Sequence, residues 1–150
     1  MPFLQQRDLD LVRDRFATDL KREVSVRLIT QSSSGLIIPG RDCRTCTATE
    51  QMLKELAAAT DKIKLEVIDF YANQAEAQSL GVDKIPAVIV GQDGNANARF
   101  YGLPSGFEFA VLLDSLVFAS ERRSRLQLVT RRSLRNLKED VHIQVFVTPT

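Results

Sequence analysis

Two strand-like runs, Val24-Ser25-Val26-Arg27-Leu28-Ile29-Thr30 and Lys64-Leu65-Glu66-Val67-Ile68-Asp69-Phe70, bracket a helical stretch that opens on Cys43-Arg44-Thr45-Cys46. Both runs are rich in β-branched and apolar residues, the composition that suits a pleated surface. From Cys46 to about Thr60 the period changes, and Thr49, Met52, Leu53, Leu56 and Thr60 fall on one helical stripe. A strand, a helix and a second strand predict a parallel pair joined by a crossover. At about 100° per residue, Cys46 lies beside the apolar stripe, while Cys43 lies further round and a turn earlier. Such a helix buries the second sulfur more than the first.

Around this unit the chain is punctuated clearly. Leu9, Val12, Phe16 and Leu20 recur at spacings of three and four, which predicts an amphipathic helix ahead of the first strand. A polar, glycine-containing connection, Gln31 to Asp42, leads to the cysteines and holds the apolar trio Leu36-Ile37-Ile38. That trio is read as tucking back over the core in preference to docking a client, since loops often pack on themselves. Asn73 to Leu80 reads as a short helix stopped by Gly81. Ile85-Pro86-Ala87-Val88-Ile89-Val90 leads into a third strand, Gln92-Asp93-Gly94-Asn95 marks a hairpin, and Ala98 to Tyr101 returns as a fourth. Gly102 to Gly106 turns into an apolar helix, Phe107 to about Ser120, whose Phe107 and Phe109, with Phe118, read as core or interface packing. The expected architecture is α/β: a central mixed four-stranded sheet flanked by helices, the first two strands parallel and the last two antiparallel.

The last thirty residues resemble a beginning. Leu126, Val129, Leu134 and Leu137 form a helical stripe, and the arginines from Arg122 to Arg135 read as its solvated face, since no aromatic residues interleave. Val141 to Val147 then alternates like a strand. Leu20-Lys21-Arg22-Glu23-Val24-Ser25-Val26-Arg27-Leu28-Ile29 and Leu137-Lys138-Glu139-Asp140-Val141-His142-Ile143-Gln144-Val145-Phe146 match in pattern without a gap. This suggests an internal repeat. The chain is therefore divided into a domain over residues 1–121 and, over 122–150, a linker helix and first strand of a truncated second unit. A mostly apolar strand without a sheet of its own should find an edge, either on this domain or on another copy, so strand exchange or a homo-oligomer through the C-terminal strand is expected.

Composition narrows the function classes. At 150 residues the chain suffices for one domain with a real core. Twenty basic and nineteen acidic residues nearly cancel, which leaves no global field to favour nucleic acid or anionic lipid. No stretch has signal length or could span a bilayer, so the expected setting is the cytoplasm and no membrane. In that reducing compartment a lone cysteine pair is more often catalytic or metal-binding than a structural staple.

Two thiols two residues apart suit redox chemistry. The attacking species is a thiolate, and Cys43 would sit just before the first helical turn, whose free amides and partial positive charge favour an anion by up to ~2 kcal/mol. Arg44 adds a cation next door. Cys46, turned inward, is suited to attack back on Cys43 and release a mixed disulfide. Arg44 and Thr45 help set the redox poise. The alternative is half of a zinc site, but zinc normally takes four ligands, and the chain has one histidine, His142, and no further cysteine. No metal or cofactor is implied. Pro86 at the opening of an apolar strand is unusual because proline cannot donate to a ladder. A cis Ile85–Pro86 bond would turn the Ile85 backbone out of the sheet toward a client segment. From the proline alone, a trans bond at a strand start is the default.

These residues together resemble the thioredoxin fold: Cys-X-X-Cys after the first strand, Ile85-Pro86 before the third, and Arg99-Phe100-Tyr101-Gly102-Leu103-Pro104-Ser105-Gly106-Phe107-Glu108-Phe109 after the hairpin. More narrowly, the chain is similar to the tandem protein disulfide oxidoreductases, also called glutaredoxin-like proteins. The ending Val145-Phe146-Val147-Thr148-Pro149-Thr150 resembles the run that in that family leads into a second Cys-X-X-Cys. The resemblance implies dithiol–disulfide exchange, with Cys43 attacking, Cys46 resolving and Pro86 as a facing cis-proline. Arg44, Thr45, Ile85 and Pro86 would form the substrate-binding surface. Client proteins and a reductase electron donor are the implied partners. The Gln31–Asp42 connection looks longer than the family's. Alternative readings are a non-catalytic binding module on the same fold, and an electron-transfer domain like the amino-terminal one of alkyl hydroperoxide reductase flavoproteins. The first unit of that domain usually lacks these cysteines.

Overall fold

The computed structural model describes residues 2–32, 40–92, 95–121 and 123–147. The trio Leu36-Ile37-Ile38, the hairpin tip Asp93-Gly94, Arg122 and the ending Thr148-Pro149-Thr150 lie outside the described residues. In order, the elements are α1 (Gln6–Asp19), β1 (Val24–Thr30), α2 (Cys46–Ala58), β2 (Ile63–Asp69), α3 (Gln74–Ser79), β3 (Ala87–Gln92), β4 (Asn95–Tyr101), α4 (Phe107–Glu121) and α5 (Leu128–Arg135).

The four strands form one sheet in the order β2-β1-β3-β4. β1 runs parallel to β2, from Val24 opposite Ile63 to Thr30 opposite Asp69. It runs antiparallel to β3, with Ile29 opposite Ala87 and Val26 opposite Val90. β4 returns antiparallel along β3, with a register shift at Val90/Gly91. β1 is thus paired on both sides, and its burial along nearly the whole length follows from that central place.

The pleat sends alternate residues to two unequal layers. Val24, Val26 and Leu28 of β1, with Val88 and Val90 of β3, face a large cluster closed by Phe16 of α1, Met52, Leu53 and Leu56 of α2, and Leu112 and Leu116 of α4. Ile29, Ala87 and Ile89 face the other way, onto a small cluster under α3 with Ile68, Ala77 and Val82. α2 runs back antiparallel to β1, as a parallel crossover requires, so its N-terminus lies at the C-terminal end of β1. The far half of α2 also anchors the chain start. The Glu55 carboxylate accepts from the amides of Phe3 at 2.7 Å and Leu4 at 2.8 Å. Partial burial would raise its pKa, but hydrogen bonds from Gln51 and from these amides prevail and lower it. Arg15 of α1 pairs with Asp114 of α4 across the same layer.

One expectation needs correction. The strand expected over Val141–Val147 forms no ladder with any described strand, and its residues stand exposed. A strand is made by its neighbours, and no sheet edge of this domain receives it. The preceding helix does form as α5, but none of its residues is buried, so its leucines are as exposed as its arginines. Phe107 does not pack in the core: it opens α4 with its side chain 91% exposed. Phe118 is likewise exposed and carries the Arg125 guanidinium over its ring at 4.4 Å, while Phe109 packs at the margin of the large cluster. Arg125 also pairs with Glu121 at 2.6 Å, which ties the end of α4 to the chain beyond it.

Candidate functional site

Cys43 and Cys46 are joined in a disulfide, with their Cα atoms 5.5 Å apart. Cys46 is the first residue of α2 and 3% exposed, at the head of the buried stripe Cys46, Thr49, Met52, Leu53 and Leu56. Cys43 precedes the helix and is half-buried, Arg44 is exposed and Thr45 is half-buried. The expected difference between the sulfurs is therefore present, and it arises from the helical phase of the stripe. Thr45 is the N-cap but makes no side-chain cap bond; its carbonyl instead accepts from the Thr49 amide at 2.9 Å and the Thr49 hydroxyl at 2.8 Å. No cap from Thr45 therefore competes for the first-turn amides, whose partial positive charge favours an anion at this end.

The Ile85–Pro86 bond is cis, as the resemblance implied and as the proline alone did not. Pro86 is buried directly ahead of β3, so by register it follows Ala87 to the place opposite Thr30. Its carbonyl accepts from the Gly102 amide at 2.9 Å. Gly102 has φ +86°, a left-handed turn that suits glycine, and nothing stands within 4 Å of where a Cβ would lie. Ile85 is half-buried against the small cluster. The C-terminal end of β1, the N-terminal end of β3 and the N-terminus of α2 therefore converge at one end of the sheet. Cys43, Arg44, Thr45, Cys46, Ile85 and Pro86 all belong to that end. His142 does not, since it lies in the exposed C-terminal segment.

Sequence reasoning missed the supports of this end. Asp69, the last residue of β2, accepts from the Ser32 amide at 2.8 Å through one carboxylate oxygen. Through the other it accepts from the amides of Tyr71 at 2.9 Å and Ala72 at 2.7 Å. Hydrogen bonding from Ser32 leads in holding its carboxyl below the usual aspartate value; partial burial opposes this, and the Ala72 and Tyr71 amides add to it. Asp69 thereby fixes both the turn after β2 and the start of the chain that runs on toward the cysteines. Tyr71 in turn packs edge-on against Phe70, ring centroids 5.3 Å apart. It also carries the Arg41 guanidinium at 4.3 Å, two residues before Cys43. An aspartate ending a strand at the start of a turn is a recognisable signal for the first of these contacts. The cation–π contact left none.

Family comparison fits this geometry. The family model described as thioredoxin domain matches residues 36–113. Among solved structures, a protein disulfide oxidoreductase from Aeropyrum pernix K1 is similar at 21% identity and TM-score 0.74, over 89% of this chain and 55% of that one. The alkylhydroperoxide reductase AhpF of Enterococcus faecalis V583, in mutant form, is similar at 21% identity and TM-score 0.72, over 90% of this chain and 61% of that one. A mutant thioredoxin from Halobacterium salinarum NRC-1 is similar at 22% identity and TM-score 0.52, over 80% of this chain and 89% of that one. The chain thus spans little more than half the length of the first two. No curated protein sequence gives a significant match.

Proposed function

Because the chain belongs to the thioredoxin-domain family, we propose that it exchanges electrons with protein disulfides through the Cys43-Arg44-Thr45-Cys46 dithiol. The observation that carries this reading is the bonded pair itself, half-buried Cys43 and buried Cys46 at the mouth of α2, at the end of the sheet where Pro86 enters β3. In the reducing direction the Cys43 thiolate attacks one sulfur of a client disulfide. A Cys43–client bond forms, the client bond breaks, and the second client sulfur leaves and takes up a proton. The Cys46 thiolate then attacks the Cys43 sulfur, closes the intramolecular disulfide and releases the first client thiol. A reductase donor restores the dithiol, and the same steps reversed would oxidise a client.

Each half of the cycle needs a different placement. The attacking sulfur needs access and a favoured thiolate, which suit Cys43 ahead of the helix. The resolving sulfur needs shelter from clients, which suits Cys46. Exposed Arg44, together with Thr45, Ile85 and Pro86, forms the candidate surface against which an extended client segment lies. Possession of only one cysteine pair suits a reducing compartment such as the cytoplasm.

An insulin-reduction assay tests the reading. Cys43→Ser should abolish turnover, and Cys46→Ser should stall with client held on Cys43, visible as added mass that a reductant removes. Unchanged turnover in both variants, or none in the parent, would overturn it and leave the non-catalytic binding module. The likeness to AhpF favours a second reading, an electron-transfer unit of an alkyl hydroperoxide reductase. That reading predicts reduction of the pair by such a flavoprotein with no insulin turnover.

Residues 122–150 are proposed as the beginning of a second unit, with Val141–Val147 covered by a sheet edge of another copy. Sizing chromatography of this chain should show a dimer or larger species. A clean monomer would oppose it.

A further inference from the structure

Thr30 ends β1 with its carbonyl satisfied and its hydroxyl not. Its carbonyl accepts from the Phe70 amide at 2.8 Å, yet Oγ1 has no partner among the described residues, although the residue is 1% exposed. A buried hydroxyl without a partner is costly, and a strand position that favours any β-branched side chain could carry valine instead. The alternation of β1 places Thr30 with Val24, Val26 and Leu28, on the face that α2 covers. α2 descends that face from the end where Thr30 stands, and the first residue of its buried stripe is Cys46. Ile29 stands opposite Ala87, and one step further along the same register would set Thr30 opposite Pro86.

The neighbourhood offers Cys46 little else. Among the described residues the buried polar and charged side chains are Thr30, Thr49 and Ser120. Thr49 already donates to the Thr45 carbonyl, and Ser120 to Val117. Gln31 Oε1 also lacks a partner among the described residues, but a carbonyl oxygen only accepts, whereas the Thr30 hydroxyl can both donate and accept. Asp69 stands opposite Thr30 in the β1–β2 register, but it is only half-buried and both its oxygens already accept, from the Ser32, Tyr71 and Ala72 amides.

The geometry points to Thr30 as the hydrogen-bond partner of Cys46 in the dithiol form, orphaned when the disulfide closes. A disulfide sulfur is a poor acceptor and no donor. A Cys46 thiol can donate to Oγ1, and a Cys46 thiolate can accept from it. The hydroxyl therefore favours the reduced pair and supports the thiolate that attacks Cys43. This inference rests on the proposed exchange, deepening the role of Cys46.

The test reads the equilibrium with glutathione. Two glutathione thiols supply the electrons: the Cys43–Cys46 bond breaks, one bond forms between the glutathiones, and two protons pass to Cys43 and Cys46. Thr30→Val keeps shape and removes the hydroxyl. It should move the equilibrium toward the disulfide by about tenfold, which corresponds to a potential lower by about 30 mV. Thr30→Ser, which restores the hydroxyl, should stay close to the parent. A purely structural threonine would affect both redox forms alike and leave the ratio where it was. An unchanged ratio in Thr30→Val, a shift toward the dithiol, or an equal shift in Thr30→Ser would overturn the inference. Thr30→Ala carries the same expected sign and serves if the valine variant does not fold. No client is present in this measurement, so its failure leaves the insulin result standing, and the reverse.

Discussion

The chain carries one pattern twice and folds it once. Val24, Val26 and Leu28 correspond to Val141, Ile143 and Val145 in alternation, after Leu20 and Leu137 close their helical stripes. In the first copy Val26 is 1% exposed and lies between two paired strands; in the second Ile143 is 80% exposed and pairs with none described. The same contrast holds for the helices, since α1 buries Val12 and Phe16 and α5 buries nothing. The difference lies in the elements that come after each copy. After β1 come α2, β2 and β3, which supply both neighbours and a lid. After Val141–Val147 there is no further described element. An alternating run specifies which face is apolar, and only a neighbouring strand decides whether that face is buried.

The sharpest way to break this comparison is to truncate equivalent positions. Leu28→Ala removes a fully buried side chain and should cost about 2–5 kcal/mol in urea unfolding. Its counterpart Val145→Ala should stay within about 0.5 kcal/mol at dilutions where the chain is monomeric. A large loss at Val145 that grows with protein concentration would show the second copy buried between molecules. Next in size is the tie at the end of the first copy. Asp69→Asn replaces an acceptor-only group facing amides with one that carries its own N–H donors, and should cost about 1–2 kcal/mol at neutral pH. The folded-state pKa of Asp69 lies below its unfolded value. Its stabilisation is therefore complete above the unfolded value, near ~3.9, and is lost as pH falls through the folded one. Urea midpoints of parent and variant should accordingly converge in acid; a gap that persists at pH 2 would refute the carboxylate's role. Smallest is Arg27, which pairs with Glu66 at 3.0 Å on the thinly covered face and whose counterpart is Gln144. Arg27→Ala should cost under about 1 kcal/mol, and molar salt should erase the loss.

The elements whose period is unmistakable were legible in the sequence: β1, α2 with its sulfur phase, the β3–β4 hairpin, and the apolar α4. So were the two cysteines and the unequal burial of their sulfurs. Other features depend on tertiary context. The cis state of Ile85–Pro86 turns on a preference of only ~0.5–1 kcal/mol in an isolated chain, which surrounding structure readily reverses. Phe107 fits an apolar helix by composition, yet it stands at the first position of α4, where its side chain points off the core. Thr30 reads as any β-branched strand residue, and nothing in the pattern marks a hydroxyl left without a partner. Arg41 meets Tyr71 across the sheet end, a contact between residues thirty positions apart that no local period encodes.

The central place of β1 also sets an order of assembly. Synthesis delivers residues 24–30 first, the cysteines next, residues 63–69 later and residues 87–92 last. Pro86 takes its place ahead of β3 only when β3 has zipped along β1. Until then both cysteines belong to a nascent chain in which one flank of β1 is open. Under the proposed exchange, the surface offered to a client is completed last, so selectivity is the last property the folding chain acquires.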